Sequence, residues 1–165
     1  AGEQVHLLAS GSIMQQAIEA AAQLEALGYA AVIWSVTSFI ELTREAEACE
    51  RENRLHPLQP RRIPYIEGLF AQATGPVVAA TDYLKSLPRG IAPWMPENYT
   101  VLGTDGFGLS ESRPDLREHF EVNAAHIVQA ALVGLYRDGV LPEQDLQAHL
   151  AKLAIDPHKV AADQR

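Results

Sequence analysis

Cysteine is almost absent from this sequence. Cys49 stands alone among 165 residues. No intrachain disulfide and no cysteine metal cluster can form, so a reducing compartment, the cytoplasm, is the expected location. Lysine is nearly as scarce, occurring at positions 85, 152 and 159, and arginine supplies the other cations. Arginine suits planar ion pairs and interfaces better than lysine does. Acidic residues outnumber basic ones 21 to 13, a net charge of −8. That balance argues against general affinity for nucleic-acid phosphate. No apolar run approaches the length of a membrane span, so no membrane partner is expected. There is no internal repeat and no low-complexity stretch. The start, AGEQVHLLAS, lacks a basic region followed by a signal core. It leads straight into a strand, as a piece cut from a longer chain would.

What is present fits an ordinary globular domain. Hydrophobic residues make up 47% and charged residues 21%, enough for one domain with a sizeable core. We place that domain at residues 1–160, followed by a polar tail, 161–165. The tail from His158 onward is expected to be mobile.

Four apolar runs read as strands: Val5–Ala9, Ala30–Val36, Val77–Ala80 and Tyr99–Leu102. The second, AAVIWSV, is apolar almost throughout and is expected to be buried on both faces, as in a parallel sheet. Helical periodicity separates the strands. Ser12 with Gln15, and Ser38 with Glu41, match the capping-box pattern at two helix starts, and Gly28 supplies a stop. Asp156-Pro157 is expected to end the last helix. Ser112 and Asn123 are candidate caps for two helices in the last third, and Pro142 opens another. Alternating strands and helices predict an α/β fold with a mainly parallel sheet and helices on both faces.

The stretch Tyr99–Arg113, YTVLGTDGFGLSESR, organises the candidate chemistry. A strand runs into a loop holding Gly103, Gly106 and Gly108, where the backbone can take positive φ or pass close to another surface. Thr104, Asp105, Phe107, Ser110, Ser112 and Arg113 lie in or beside it. A nucleophilic triad would use Ser110 or Ser112, His119 and Asp105, but no G-x-S-x-G elbow is present. Asp105-Gly106 fails as a metal-diphosphate motif, because residue 104 is Thr and no Asn pair follows. No histidine spacing matches a zinc site. Ser10-Gly11-Ser12, between strand and helix, could hold an anion or be a plain capped turn. Cys49, among carboxylates, is a poor nucleophile. Arg51, Arg54, Arg61 and Arg62 either pair with nearby glutamates or face another acidic chain. Trp34 reads as core, and Trp94, among prolines, reads as core or as filling a pocket between domains.

Several motifs are long and unusual in composition: Ser35–Leu42 (SVTSF-x-EL), Cys49–Pro57 (C-E-R-x-N-x-L-H-P), Pro64–Ile66 (PYI), Thr81–Lys85 (T-D-Y-x-K), Val101–Arg113 and Leu116–Val122 (L-R-x-HFEV). In register from about Val5 to Lys159, the sequence resembles the C-terminal domain of the decarboxylating component of pyruvate dehydrogenase complexes, the homodimeric bacterial type. The resemblance implies a transketolase-like C-terminal domain. That is a three-layer α/β/α sandwich around a mixed, mostly parallel sheet of five strands, the first antiparallel to the rest. The residues themselves give four strands, and the fifth would fall near Pro64–Ala73 or just after.

The resemblance further implies an enzyme that decarboxylates pyruvate on thiamine diphosphate with Mg²⁺ and reductively acetylates a lipoyl group on a partner acyltransferase. The motifs for that chemistry belong to other domains of such enzymes. No catalytic, cofactor-binding or metal residue is therefore assigned here, and the chain alone is expected to be inactive. The implied role is an interface domain that buttresses a homodimer. Thr104, Asp105, Gly106, Phe107, Gly108, Ser110, Ser112 and Arg113 form its candidate interface or active-site-entrance loop. The family usually has a basic residue where this chain has Leu109. The other reading is a free-standing small α/β protein binding a ligand at the strand ends, near Ser10–Ser12 and Thr104–Gly108.

Overall fold

The computed structural model describes residues 4–164. The elements follow as β1 (Gln4–Ala9), α1 (Met14–Ala26), β2 (Ala30–Ser35), α2 (Phe39–Leu55), α3 (Tyr65–Phe70), β3 (Val77–Ala80), α4 (Ser86–Arg89), β4 (Tyr99–Leu102), α5 (Arg113–His119), α6 (Ala124–Arg137) and α7 (Glu143–Leu153). The sheet has the order β2-β1-β3-β4, and every pairing is parallel. Parallel neighbours need long crossovers, and right-handed crossovers running to opposite sides of β1 place helices on opposite faces.

Alternation along the strands divides the core in two. Val5, Leu7 and Ala9 of β1 join Val78 and Ala80 of β3 against α1, α6 and α7. Leu8, Val77 and Ala79 face the other way, onto Phe39 and Ala46 of α2, Ile66 and Phe70 of α3, and Ile91. The α/β/α layering agrees with expectation.

The five-stranded mixed sheet is corrected to four parallel strands among the described residues. Pro64–Ala73, where the resemblance implied the fifth strand, holds α3, as Pro64 at a helix start suits, and Ile66 and Phe70, four residues apart, both reach the core. The second strand is corrected too. β2 is an edge strand, so Ile33 is 37% exposed and Trp34 only partly covered. An apolar sequence alone does not separate an edge strand from a central one.

The helix ends mostly follow the sequence. Ser38 caps α2 by accepting from Glu41 N–H at 3.2 Å, and Asn123 caps α6 by accepting from His126 N–H at 3.1 Å. Gly28 ends α1 with φ +92°. Its N–H reaches Glu25 O, and Tyr29 N–H reaches Leu24 O, the paired bonds of a Schellman turn. Ser12 is not a cap. The chain enters α1 through a 3-10 turn, Gly11–Ile13, and the Ser12 hydroxyl is turned to Asp82 instead. α7 stops at Leu153, where Ala154 takes φ +53°, before Asp156-Pro157.

The unusual motifs are local scaffolding. Asn53 clasps the backbone of Arg62, its amide donating to Arg62 O at 2.9 Å and its oxygen accepting from Arg62 N–H at 2.8 Å. Glu45 accepts from the Cys49 thiol and from Tyr65 N–H, each at 3.0 Å. Arg61 pairs with Glu67 and Glu50 at 2.7 and 3.0 Å. Together these bonds dock the loop after α2, and then α3, onto α2. The Glu45 bond, and burial after it, push the Cys49 thiol up, which disfavours the thiolate.

Trp34 sits on the α2/α3 side, where its indole N–H donates to His6 Nδ1 at 3.1 Å. Its ring lies 5.1 Å from that of Phe70.

One glycine fixes how closely α6 approaches the sheet. A Cβ on Gly134 would fall 2.4 Å from Pro76 Cβ. Gly134→Val should therefore destabilise the chain by about 1–3 kcal/mol, the usual cost of overpacking. Urea denaturation of the two proteins checks this, and an unchanged midpoint would contradict it.

Two buried histidines give a pH dependence. Burial holds His6 below the ordinary value of 6.5, with a small opposing effect from the Thr74 backbone. Burial likewise lowers His126 against the opposing pull of Glu118 and Glu121. The unfolded chain thus takes up these protons first as pH falls. Stability should be full above about pH 6.5 and decline below it until the native rings protonate as well. Denaturation midpoints from about pH 7.5 to 5.5 should fall in the wild type and fall less in His126→Gln.

Candidate functional site

All four strands point the same way, so their carboxyl ends gather along one edge of the sheet. The chain leaves β1 toward β2 on one side, while β3 lies on the other side of β1. The crevice between the ends of β1 and β3 is thus the topological switch point, where open α/β sheets commonly bind ligands. Ser12 follows β1 there, and Asp82 follows β3.

The glycine loop after β4 docks on the Thr81–Lys85 segment beside it. Thr104 N–H donates to Tyr83 O at 2.9 Å, and its hydroxyl donates to Asp82 O at 3.0 Å. Asp105 accepts from Lys85 N–H at 2.8 Å, with the Lys85 ammonium 3.9 Å from its other oxygen. Gly103 permits this approach, since a Cβ there would lie 2.9 Å from Tyr83 O.

The loop's outer half turns to solvent. Phe107 is 83% exposed, and Leu109, Tyr83 and Leu84 are also exposed. Ser110 is exposed, and a Cβ on Gly108 would meet nothing within 4 Å. Ser112 caps α5, bonding both the backbone N–H and the carboxylate of Asp115. Arg113 begins α5 and faces a cavity.

Gly106 behaves differently from the expectation for a surface loop. Its φ is +117°, and a Cβ would fall 2.7 Å from Ala162 O. The close approach its sequence position suggests is made to the chain's own C-terminal segment. That segment is seated on the domain. Lys159 donates to Glu118 O and lies 3.8 Å from Glu121, and Ala162–Gln164 form a 3-10 turn. Polar composition marks solvent contact but does not reveal a backbone seat of this kind.

A cavity of about 380 Å³ opens at the switch point, between the glycine loop and α5. Arg117 crosses its wall, donating to Ser12 O at 3.1 Å and approaching Ser12 Oγ at 3.4 Å. Ser12 in turn donates to Asp82. Leu116, Phe120 and Val122 provide apolar wall. Sequence reasoning named Ser12 and Arg113 but missed Asp82 and Arg117. Both lie in motifs quoted above, Asp82 in T-D-Y-x-K and Arg117 in L-R-x-HFEV, but their convergence depends on a helix that folds back over the strand ends.

Of the residues weighed as a triad, Asp105 is bonded to Lys85, Ser112 to Asp115, and His119 stacks edge-on against Phe120, while Ser110 is exposed. Among the described residues no three His, Cys, Asp or Glu side chains converge in a way that could hold a metal ion. With Asp105 engaged as well, these residues do not fit a metal-diphosphate group. No helix is long and apolar enough to cross a membrane.

Such a structure defines a class: an α/β/α sandwich module whose strand-end edge combines a docked glycine loop, an exposed aromatic rim and a polar cavity. Residues 1–123 match the family described as the transketolase-like TK C-terminal domain, and the chain belongs to that family. It is 46% identical over 158 residues to the Pyruvate dehydrogenase E1 component of Escherichia coli (strain K12), covering 94% of this chain and 18% of the relative. The protein of the same name from Pseudomonas aeruginosa is 45% identical over 161 residues, covering 96% and 18%. The chain thus spans under a fifth of the length of these relatives.

Solved structures agree on the fold. The split-gene transketolase described as an inactive beta4 tetramer matches with TM-score 0.54 at 24% identity, over 82% of this chain and 40% of that one. Transketolase from Campylobacter jejuni matches with TM-score 0.51 at 24% identity, over 78% and 16%.

Gly106 and Gly108 should respond differently to a side chain. Gly106→Val adds strain at positive φ and a clash with the Ala162 backbone, so it should release the tail and cost about 1–3 kcal/mol. Gly108→Ala should stay within about 0.5 kcal/mol of wild type. Thermal denaturation, with limited proteolysis at the C-terminus, separates the two outcomes.

Proposed function

We propose that this chain is the C-terminal interface domain of a pyruvate dehydrogenase decarboxylating component. The observation that carries the proposal is the identity of 46% across 94% of the chain to a protein of that name. On this reading the full-length enzyme decarboxylates pyruvate on thiamine diphosphate with Mg²⁺ and passes the acetyl group reductively to a lipoyl group of the acyltransferase. Other domains of the polypeptide hold the cofactor. This domain supplies no reacting group and is inactive alone. Its neighbours are those domains and the second subunit of a homodimer, in the cytoplasm.

The rim of Phe107, Leu109, Tyr83 and Leu84 supports a docking role, because solvent is a poor partner for a cluster of large apolar side chains. The glycine loop, Thr104–Arg113, is built as a rigid base with a projecting tip. Thr104, Asp105 and Gly106 tie the base to the chain, and Phe107 through Ser110 present the tip. Leu109, in place of the family's usual basic residue, adds apolar area to it. The cavity at the switch point favours a second reading, a small α/β ligand-binding protein that acts alone.

Two measurements test the proposal. Phe107→Asp should leave the thermal midpoint of the 165-residue chain nearly unchanged, since the ring leans on no core. In the full-length polypeptide it should impair dimer assembly, read by sedimentation. Intact dimers would remove the docking role. Calorimetric titration of the 165-residue chain with thiamine diphosphate and Mg²⁺ should give no heat of binding, and micromolar affinity would overturn the non-catalytic assignment.

A further inference from the structure

We propose that the cavity at the switch point binds a small hydroxylated organic anion. The inference goes beyond the docking role, because the groups that carry it line the cavity and are not the apolar side chains of the rim. Arg113 and Arg117 both face the cavity, and neither has a carboxylate within ion-pair range among the described residues. The contrast with Arg61, which holds two carboxylates, is instructive. Two guanidinium groups left with free donors beside an apolar wall suit an anionic oxygen group on a carbon skeleton.

Asp82 decides what else the ligand carries. Its carboxylate lies on the same wall, one serine away from Arg117: Arg117 approaches Ser12 Oγ at 3.4 Å, and Ser12 donates to Asp82. A bare inorganic anion would gain from the arginines and be repelled by the carboxylate. A ligand with a hydroxyl next to its anionic group satisfies both, donating the hydroxyl proton to Asp82 while its charged oxygens meet the arginines. Leu116, Phe120 and Val122 then cover the carbon skeleton. A cavity of about 380 Å³ is within the size range of small-molecule sites. The anionic group can be a phosphate monoester or a carboxylate, and the two are distinguished by experiment.

The test uses the complete polypeptide to which this chain belongs, titrated calorimetrically with glycerol 3-phosphate, glycerate and inorganic phosphate. Glycerol 3-phosphate or glycerate should bind measurably more tightly than inorganic phosphate, and the tighter of the two identifies the anionic group. Arg117→Gln should weaken that binding about ten-fold, with partial recovery in Arg117→Lys. Arg113→Gln, on the exposed first turn of α5, should weaken it without burdening the fold. Asp82→Asn should raise affinity for inorganic phosphate and erase the preference for the hydroxylated probe. Equal affinity for all three probes, no binding, or binding indifferent to both arginine substitutions would overturn the proposal. Sedimentation of the same samples scores assembly separately. In the unsubstituted polypeptide, no binding with intact dimers counts against the cavity alone, and binding without dimers counts against the docking role alone.

Discussion

The parallel pairing of β1 with both β2 and β3 is the constraint on which the rest of the molecule depends. A central strand with parallel neighbours on each side forces two crossovers in opposite directions. Their common handedness then covers both faces with helices and delivers every strand-end loop to one edge. Thr81–Lys85, the glycine loop and Ser10–Ser12 lie far apart in sequence and become neighbours for that reason. The bonds from Thr104 to Tyr83 and from Lys85 to Asp105 exist only because β3 and β4 run side by side in the same direction. Reversing one strand would scatter the cavity.

Within that frame the unusual sequence motifs divide by task. Those on α2 and the loop behind it serve folding. Asn53 mimics a strand partner for Arg62, Glu45 satisfies two donors, and Arg61 spans two carboxylates. The loop bonds are exposed and the ion pair is partly screened, so each contributes modestly and geometry is their main product. The segments at the strand ends differ: among the described residues Arg113 and Arg117 have no carboxylate partner, and Phe107 is left bare to solvent.

Much of the fold was legible in the sequence. Periodicity located all four strands, and the caps at Ser38, Ser112 and Asn123 and the stop at Gly28 sit where side-chain chemistry puts them. These are local rules acting over three or four residues. The misses share a physical reason: each depends on a partner remote in sequence. Ser12 has the spacing of a cap, but Asp82, 70 residues away, takes its hydroxyl. AAVIWSV has the composition of a buried strand, but its place at the edge is decided by which strands pair. Arg117 looks like any helix-surface arginine until α5 folds across Ser12, 105 residues earlier.

The contact between Gly106 and Ala162 ties the glycine loop to the last few residues of the described chain. The two segments are separated by α5, α6 and α7, yet neither can move outward without opening the other. They form one cooperative unit whose opening free energy is set jointly. A perturbation applied near residue 162, such as an appended peptide, a nick or a bound macromolecule, would therefore be transmitted as increased freedom at Phe107. The exposed tip is in this sense tuned by a segment more than fifty residues further along the sequence.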